Sequence, residues 1–454
     1  MTDFTQCTAT ELTDLYRTGS ASPVTVAEQV LAKIERLNPV LNAFCFTDPA
    51  TTLTQAQASA QRWQQRQPLG LIDGVPVSIK DSIFTQGWPT RYASRSIDPN
   101  QDWSEDAPVV STLRKAGAIL VGKTTMCEFG LTNYNSNSVL YGSVPNSWNL
   151  EYSPGGSSGG SAVAVAAGIT PLSVVTDMGG STATPSAFCG VYGFKPTLGM
   201  IPRYPYDVFG LGNIGLMSRS VEDLQSALEC VSKPNTKDWT LCPTNQNNHY
   251  KQLQIKNLKF AVVKKIDNET FAPQTLDPVN TIIDWLTDQG ATVDEINLDC
   301  NVIGVFGNLF YHHLSQMLES YKHELLEKRT QHIMLATKTN SQLFQYLQEQ
   351  KKIIVKLKQY MQLYDFIIAP AVVTPSASVS NTVNFDRVDP IILNPFAVLC
   401  TVSQQPTVTV PIGLDPQSMP TSVTISADSG HDNDLLQFCK ILQHQFPMPH
   451  SPFF

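Results

Sequence analysis

Residues 153–181 read SPGGSSGGSAVAVAAGITPLSVVTDMGGS. Eight of the first nine are glycine or serine, a composition that usually marks a flexible linker. Apolar, helix-compatible sequence follows at once, so the stretch lies in what reads as the densest core of the chain. Residues 161–168 (SAVAVAAG) predict a helix stopped at Gly168, and 172–175 (LSVV) predict a strand. A second glycine–serine turn, TDMGGSTATPS (176–186), follows that strand directly.

The same alternation extends outward. Ser22 and Pro23 read as an N-cap and first helical residue, with Val26, Val30, Ile34 and Leu37 at helical spacing. A further helix is expected over 54–67. GVPVSIK (74–80) alternates, with Val75, Val77 and Ile79 on one side and Ser78 and Lys80 on the other, which predicts a strand with one buried face. Residues 106–125 predict a helix turning at Gly117 into a strand over 118–121, and 220–231 a capped helix. Strands at 258–263 and 291–298 flank a helix over 276–290, and 364–371 and 405–413 return to strand character. Residues 301–363 are mostly helical and charged, their lysines forming a solvated face. The most loop-like segment, 232–252, reads as an excursion. No repeat or clear linker divides the chain, so one domain over 1–454 is expected, of α/β class with a mixed, largely covered sheet.

The 454 residues carry a formal net charge of −8, and only 15% are charged. An acidic balance argues against nucleic acid as a partner. The nine cysteines are scattered, with no CxxC pair and no His/Cys cluster of metal-site spacing, which fits a reducing compartment. The N-terminus is acidic and polar, unlike a signal peptide, and no run of about 18 apolar residues exists to span a bilayer. The expectation is a cytoplasmic protein with no cofactor, no metal and no membrane partner.

The glycine-rich loop lacks the GK[ST] of a nucleotide-binding loop, and neither GxGxxG nor GxSxG occurs. All eight histidines lie at or beyond position 249, away from the glycine-rich core. What remains is the second turn. Backbone N–H groups of Met178, Gly179 and Gly180 at a strand end can form an anion-binding nest beside Ser181. A serine nucleophile without histidine needs another base, and Lys80, at the end of an apolar strand with only Asp81 near it in charge, is placed for desolvation. The plainer readings stay open here: an ordinary glycine turn, and a strand-end lysine whose stem snorkels to the surface.

Four ordered segments carry a resemblance. GVPVSIKDSIFTQGWPT (74–90) is similar to a GxPxxxKD motif, and 106–130 to a helix–strand element ending in a GKT-type turn. Residues 146–181 and FCGVYGFKPT (188–197) complete the pattern. Together they resemble the amidase signature family of serine hydrolases, strongly over residues 20–230 and weakly elsewhere. The resemblance implies a large, mixed, twisted β-sheet covered on both faces by helices, with a signature core about 70–200 and a more variable helical region about 300–363. It also implies a Ser-cisSer-Lys triad. Ser181 is then the nucleophile, Ser157 the bridging serine after a cis peptide at Gly156, and Lys80 the base; the two serines are 24 residues apart. Met178, Gly179 and Gly180 form the oxyanion hole. Asp177 and Thr176 are candidates to hold backbone N–H groups, Ser158 either hydrogen-bonds within the turn or fills it, and Gly130, Leu131 and Thr132 approach the acyl pocket. Tyr204, Tyr206 and Phe209 either line the pocket or pack ordinarily.

One position departs from the pattern. The family usually carries arginine two residues after the nucleophile, and here Ala183 stands there. A fixed charge and a five-donor fork are lost, so the substrate is neutral or otherwise anchored, or the site is weakened; the complete triad favours altered specificity. The implied activity is hydrolysis of a carboxamide or ureido C–N bond in a small-molecule amide. The alternatives are a glutaminase-type A subunit of a transamidating complex and a catalytically silent family member. A homodimer is the expected assembly.

Overall fold

The computed structural model describes residues 2–240, 253–336, 342–378 and 393–454. Its strands are β1 (Phe44–Thr47), β2 (Pro76–Lys80), β3 (Ile119–Thr124), β4 (Leu172–Asp177), β5 (Tyr192–Lys195), β6 (Asn213–Ser218), β7 (Lys259–Ile266), β8 (Glu269–Thr270), β9 (Thr292–Leu298), β10 (Phe366–Pro370), β11 (Thr407–Leu414) and β12 (Pro420–Ser426). All belong to one sheet in the order β1-β3-β2-β4-β6-β5-β11-β12-β10-β7-β8, with β9 also beside β7. The sheet is mixed. β2 runs parallel to β3 and β4, and β7 parallel to β9 and β10, while β4/β6, β5/β6, β5/β11 and β11/β12 are antiparallel.

The helices are α1 (Ala9–Thr18), α2 (Pro23–Leu41), α3 (Pro49–Gln64), α4 (Pro108–Lys115), α5 (Gly159–Ala166), α6 (Ala183–Cys189), α7 (Val221–Val231), α8 (Pro273–Asp288), α9 (Val302–Leu318), α10 (Lys328–Ala336), α11 (Leu343–Met361), α12 (Pro395–Val402) and α13 (Asp432–Gln445). Their starts follow local chemistry. The Ser22 hydroxyl accepts from Val24 N–H ahead of Pro23, and the Ser220 hydroxyl accepts from Asp223 N–H. Of the loop-like segment, 241–252 lies outside the described residues.

Helices cover both faces of the sheet. Phe260 and Val262 of β7 pack into one core with Val279 of α8 and Leu435 of α13, while Ala261 and Val263 join the core formed by α9, α11 and α12. Period-2 alternation sends neighbouring residues to opposite sides. This corrects the one-faced reading of 74–80: every residue of β2 is buried. Val77 and Ile79 face the α4/α7 side, and α5 covers the polar side, where the Ser78 hydroxyl pairs with Thr170 Oγ1 at 3.1 Å. Lys351, Lys352 and Lys358 of α11 are exposed, as a solvated face requires. Among the described residues no helix is long and apolar enough to cross a membrane.

Candidate active site

β2 and β4 are parallel neighbours, with Ile79 opposite Val174, so both strands deliver their C-terminal ends to the same edge. Lys80 ends β2, Thr176 and Asp177 end β4, and the glycine–serine turns lead from there into α5 and α6. In open α/β sheets this edge is where ligands bind.

The residues separated in sequence meet there. Lys80 Nζ lies 2.7 Å from Ser157 Oγ, 2.7 Å from Ser158 Oγ and 3.2 Å from the Thr176 carbonyl oxygen. Ser157 Oγ lies 2.9 Å from Ser181 Oγ. The Gly156–Ser157 peptide is cis. Lys80 is fully buried, and Ser181 keeps 6% of its surface exposed. Burial pushes the Lys80 ammonium down to about 7; Cys127 and Asp177 pull the other way and the Arg203 charge reinforces the shift. Asp81, the expected charged neighbour, is turned aside. Its carboxylate accepts the N–H groups of Arg91 and Ala93.

A scaffold fixes the serine turns. The Asp177 carboxylate accepts from Gly180 N–H at 2.9 Å and from Thr182 N–H at 2.5 Å, tying the turn around Ser181. Asn133 Nδ2 donates to the Gly179 carbonyl at 2.9 Å. Ser136 Oγ donates to the Gly155 and Ser157 carbonyls and accepts from Gly159 N–H. A Cβ on Gly156 would lie 2.1 Å from the Asn135 carbonyl oxygen, so only glycine fits there. Gly156 and Gly159 admit the 132–136 loop, whereas Gly155 faces Pro185 and Phe188 of α6 and Gly160 faces the backbone of Thr125 and Ala43.

Several expectations change. Gly180 N–H is committed to Asp177, so it is not an oxyanion donor. The N–H groups of Met178, Gly179 and Ser181 have no acceptor among the described residues. Thr176 holds no backbone N–H through its hydroxyl, which pairs with Ser82 Oγ at 2.8 Å; its carbonyl holds Lys80 instead. Ser158 is a direct partner of Lys80 rather than filler.

Two narrow clefts, of about 50 and 60 Å³, meet at Ser181 and share Gly130, Met178 and Phe310. Tyr92, Phe129, Arg203, Tyr204 and His313 line the first. Leu131, Asn133, Phe306, Tyr311 and Arg329 line the second. Thr132 lines neither, its hydroxyl taking Tyr134 N–H and its carbonyl taking Cys127 Sγ. Tyr204 faces the site, Tyr206 is exposed and Phe209 packs in the core. Ala183 is buried and lines neither cleft. Larger hollows, of about 520 Å³ beside the 447–451 tail and about 1240 Å³ beside α2, do not reach Ser181.

Residues 25–436 match the amidase family model. The chain belongs to the amidase signature family. Curated relatives include the A subunit of glutamyl-tRNA(Gln) amidotransferase from Chloroflexus aurantiacus, 35% identical over 302 residues, covering 66% of this chain and 62% of that one. Its mitochondrial counterpart from Aedes aegypti is 34% identical over 312 residues, covering 65% and 62%. The chain thus spans about 62% of the length of the curated relatives it matches. Solved structures share the fold: 6-aminohexanoate cyclic dimer hydrolase at TM-score 0.90 and 24% identity over 100% of both chains, and a bacterial aryl acylamidase at 0.86 and 21% over 97% and 96%.

Motif reading missed Arg203, His313, Asn133 and Arg329. His313 overturns the expectation that the histidines stay away from the glycine-rich core, since α9 carries it to the first cleft, where its Nδ1 meets Asp207 at 3.2 Å. No spacing in 301–363 marks it, because α9 reaches Ser181 only through tertiary packing.

Proposed function

We propose that this amidase-family chain hydrolyses the C–N bond of a small carboxamide or ureido group through an acyl-enzyme on Ser181. The observation that carries this is the unbroken line Lys80–Ser157–Ser181, at 2.7 and 2.9 Å, ending on a buried lysine. A neutral amine has two N–H donors and one lone pair. The Thr176 carbonyl can only accept, and Ser158 takes the second donor, so the lone pair is left for the Ser157 proton. Ser181 then passes its proton to Ser157 as its Oγ attacks the carbonyl carbon. The N–H groups of Met178, Gly179 and Ser181 are the donors available to the developing oxyanion. The relay runs back to protonate the leaving nitrogen as the C–N bond breaks, and water, deprotonated along the same line, releases the acid.

Release of ammonia or amine from a panel of aliphatic and aromatic amides tests this. Ser181→Ala is expected to abolish it, and a fluorophosphonate probe is expected to label Ser181 by mass spectrometry. Retained turnover in Ser181→Ala overturns the mechanism, and absence of labelling supports a catalytically silent protein.

The names of the curated relatives favour a second reading, a subunit that releases ammonia for a transamidating partner. Ala183, where the family pattern has arginine, leaves that reading in need of another cation for the glutamine carboxylate. Under that reading, ammonia release from glutamine requires a co-purifying partner.

A further inference from the structure

Arg203 lies in the loop between β5 and β6 and lines the first cleft together with Ser157 and Ser181. Its side chain is 16% exposed, yet its donors are poorly used. Nη2 reaches only the Met178 sulfur, at 3.9 Å, and Nη1 has no hydrogen-bond partner among the described residues. Asp207 makes a long ion pair with Nη1 at 3.9 Å, beyond hydrogen-bond reach, so the charge is partly balanced while the N–H donors are not filled. Asp207 is already occupied by the N–H groups of Phe209, Leu211 and Gly212, at 3.0, 2.5 and 2.7 Å, and by His313 Nδ1. These donors and the Arg203 charge outweigh its burial and hold its carboxyl well below the usual range, so it remains an anion. The Nη1 end of the guanidinium sits against Gly212, where a Cβ would come 1.2 Å from Nη1, so any side chain there would displace it.

A nearly buried guanidinium with unfilled donors on the wall of a reaction cleft is an incomplete anion site. The planar fork matches a carboxylate. The neighbouring Asp207 charge disfavours a dianion such as phosphate. Aromatic walls at Tyr92, Phe129 and Tyr204 suit a short apolar spacer.

We propose that Arg203 seats a carboxylate of the substrate, so that the amide cleaved at Ser181 carries an acid group a short apolar chain away. This rests on the amide-hydrolase reading. It also assigns the anchoring charge that Ala183 lacks to a different loop. Arg329, in the second cleft, is the rival cation; its Nε also lacks a hydrogen-bond partner among the described residues, but Glu327 lies near it in charge.

Matched substrates test it. On the acyl side, glutaryl p-nitroanilide is compared with its methyl ester; on the amine side, 4-acetamidobenzoate with its methyl ester. The wild-type enzyme is expected to prefer one carboxylate member by about tenfold or more in kcat/KM, the range of a charged hydrogen bond, chiefly through KM. Which pair responds tells the side on which the acid lies. Arg203→Met and, independently, Gly212→Ala, which keeps the arginine but displaces its guanidinium, are each expected to bring that ratio close to one. Calorimetric binding of 4-acetamidobutyrate and its N-methylamide to Ser181→Ala supplies a readout without turnover, with only the acid expected to bind and only when Arg203 is intact. Equal handling of acid and ester, a preference surviving both variants, or one lost only in Arg329→Met overturns the proposal. If Ser181 takes fluorophosphonate while the acids show no advantage, this proposal falls alone. If Ser181 takes no label, the hydrolase reading falls and this one with it.

Discussion

At Lys80, burial brings the ammonium down to about 7, and the three partners of Nζ are two hydroxyls and a carbonyl. Below that pH the nitrogen is an ammonium with no lone pair for Ser157; above it the amine is a base. The expected kcat/KM therefore falls as pH drops through about 7. Lys80→Ala is expected to lower kcat by about 10²- to 10⁴-fold, and its residual activity to lack that acidic limb. An unchanged limb in the variant would show that another group titrates. Ser158→Ala removes one of the acceptors that aim Nζ, and steady-state kinetics should show kcat down by about tenfold at little cost in KM. Lys80, Ser157 and Ser181 are legible from motif and order. Arg203 and His313 are not, because no local pattern distinguishes a charged side chain on a cleft wall from one on a surface.

At the scale of elements, the decisive unit is the end of β4 with the turn into α6. Asp177 fills two backbone donors of that turn, and both are buried. Asp177→Ala leaves them without acceptors, an expected loss of about 2–4 kcal/mol in urea unfolding, together with a fall in kcat as Ser181 shifts. Asp177→Asn keeps one acceptor oxygen and should recover part of both. Helix and strand positions followed from periodicity and glycine stops, since these are local effects. The one-sided reading of β2 failed for a tertiary reason: its polar face is covered by α5, and its polar groups are satisfied by Thr170, Ser157 and Ser158.

Across the whole molecule, the sheet separates the site from the largest apolar core. Phe438 of α13 packs on Phe260 of β7 at 5.0 Å and on Phe366 of β10 at 4.8 Å, on the face opposite Lys80. Phe438→Ala should cost about 3–5 kcal/mol by cavity formation, read as a lower urea midpoint. At temperatures where the variant stays folded, kcat should change little, because α5 and α6 pack on the other face. A large kcat loss in the folded variant would show coupling across the sheet.

The residue order alone determined the α/β alternation, the family and which serines and lysine to examine, because hydrophobic period, caps and glycine turns act over a few residues. Tertiary structure decided the rest. Parallel pairing of β2 with β4 brought Lys80 to Ser157 across 77 positions. Asp177 took the Gly180 N–H out of the nest. Packing of α9 and the β5–β6 loop put His313 and Arg203 on the wall of the cleft that Ser181 lines. Contacts between segments so far apart depend on the register of the sheet and on how helices cover it, and no window of sequence encodes either.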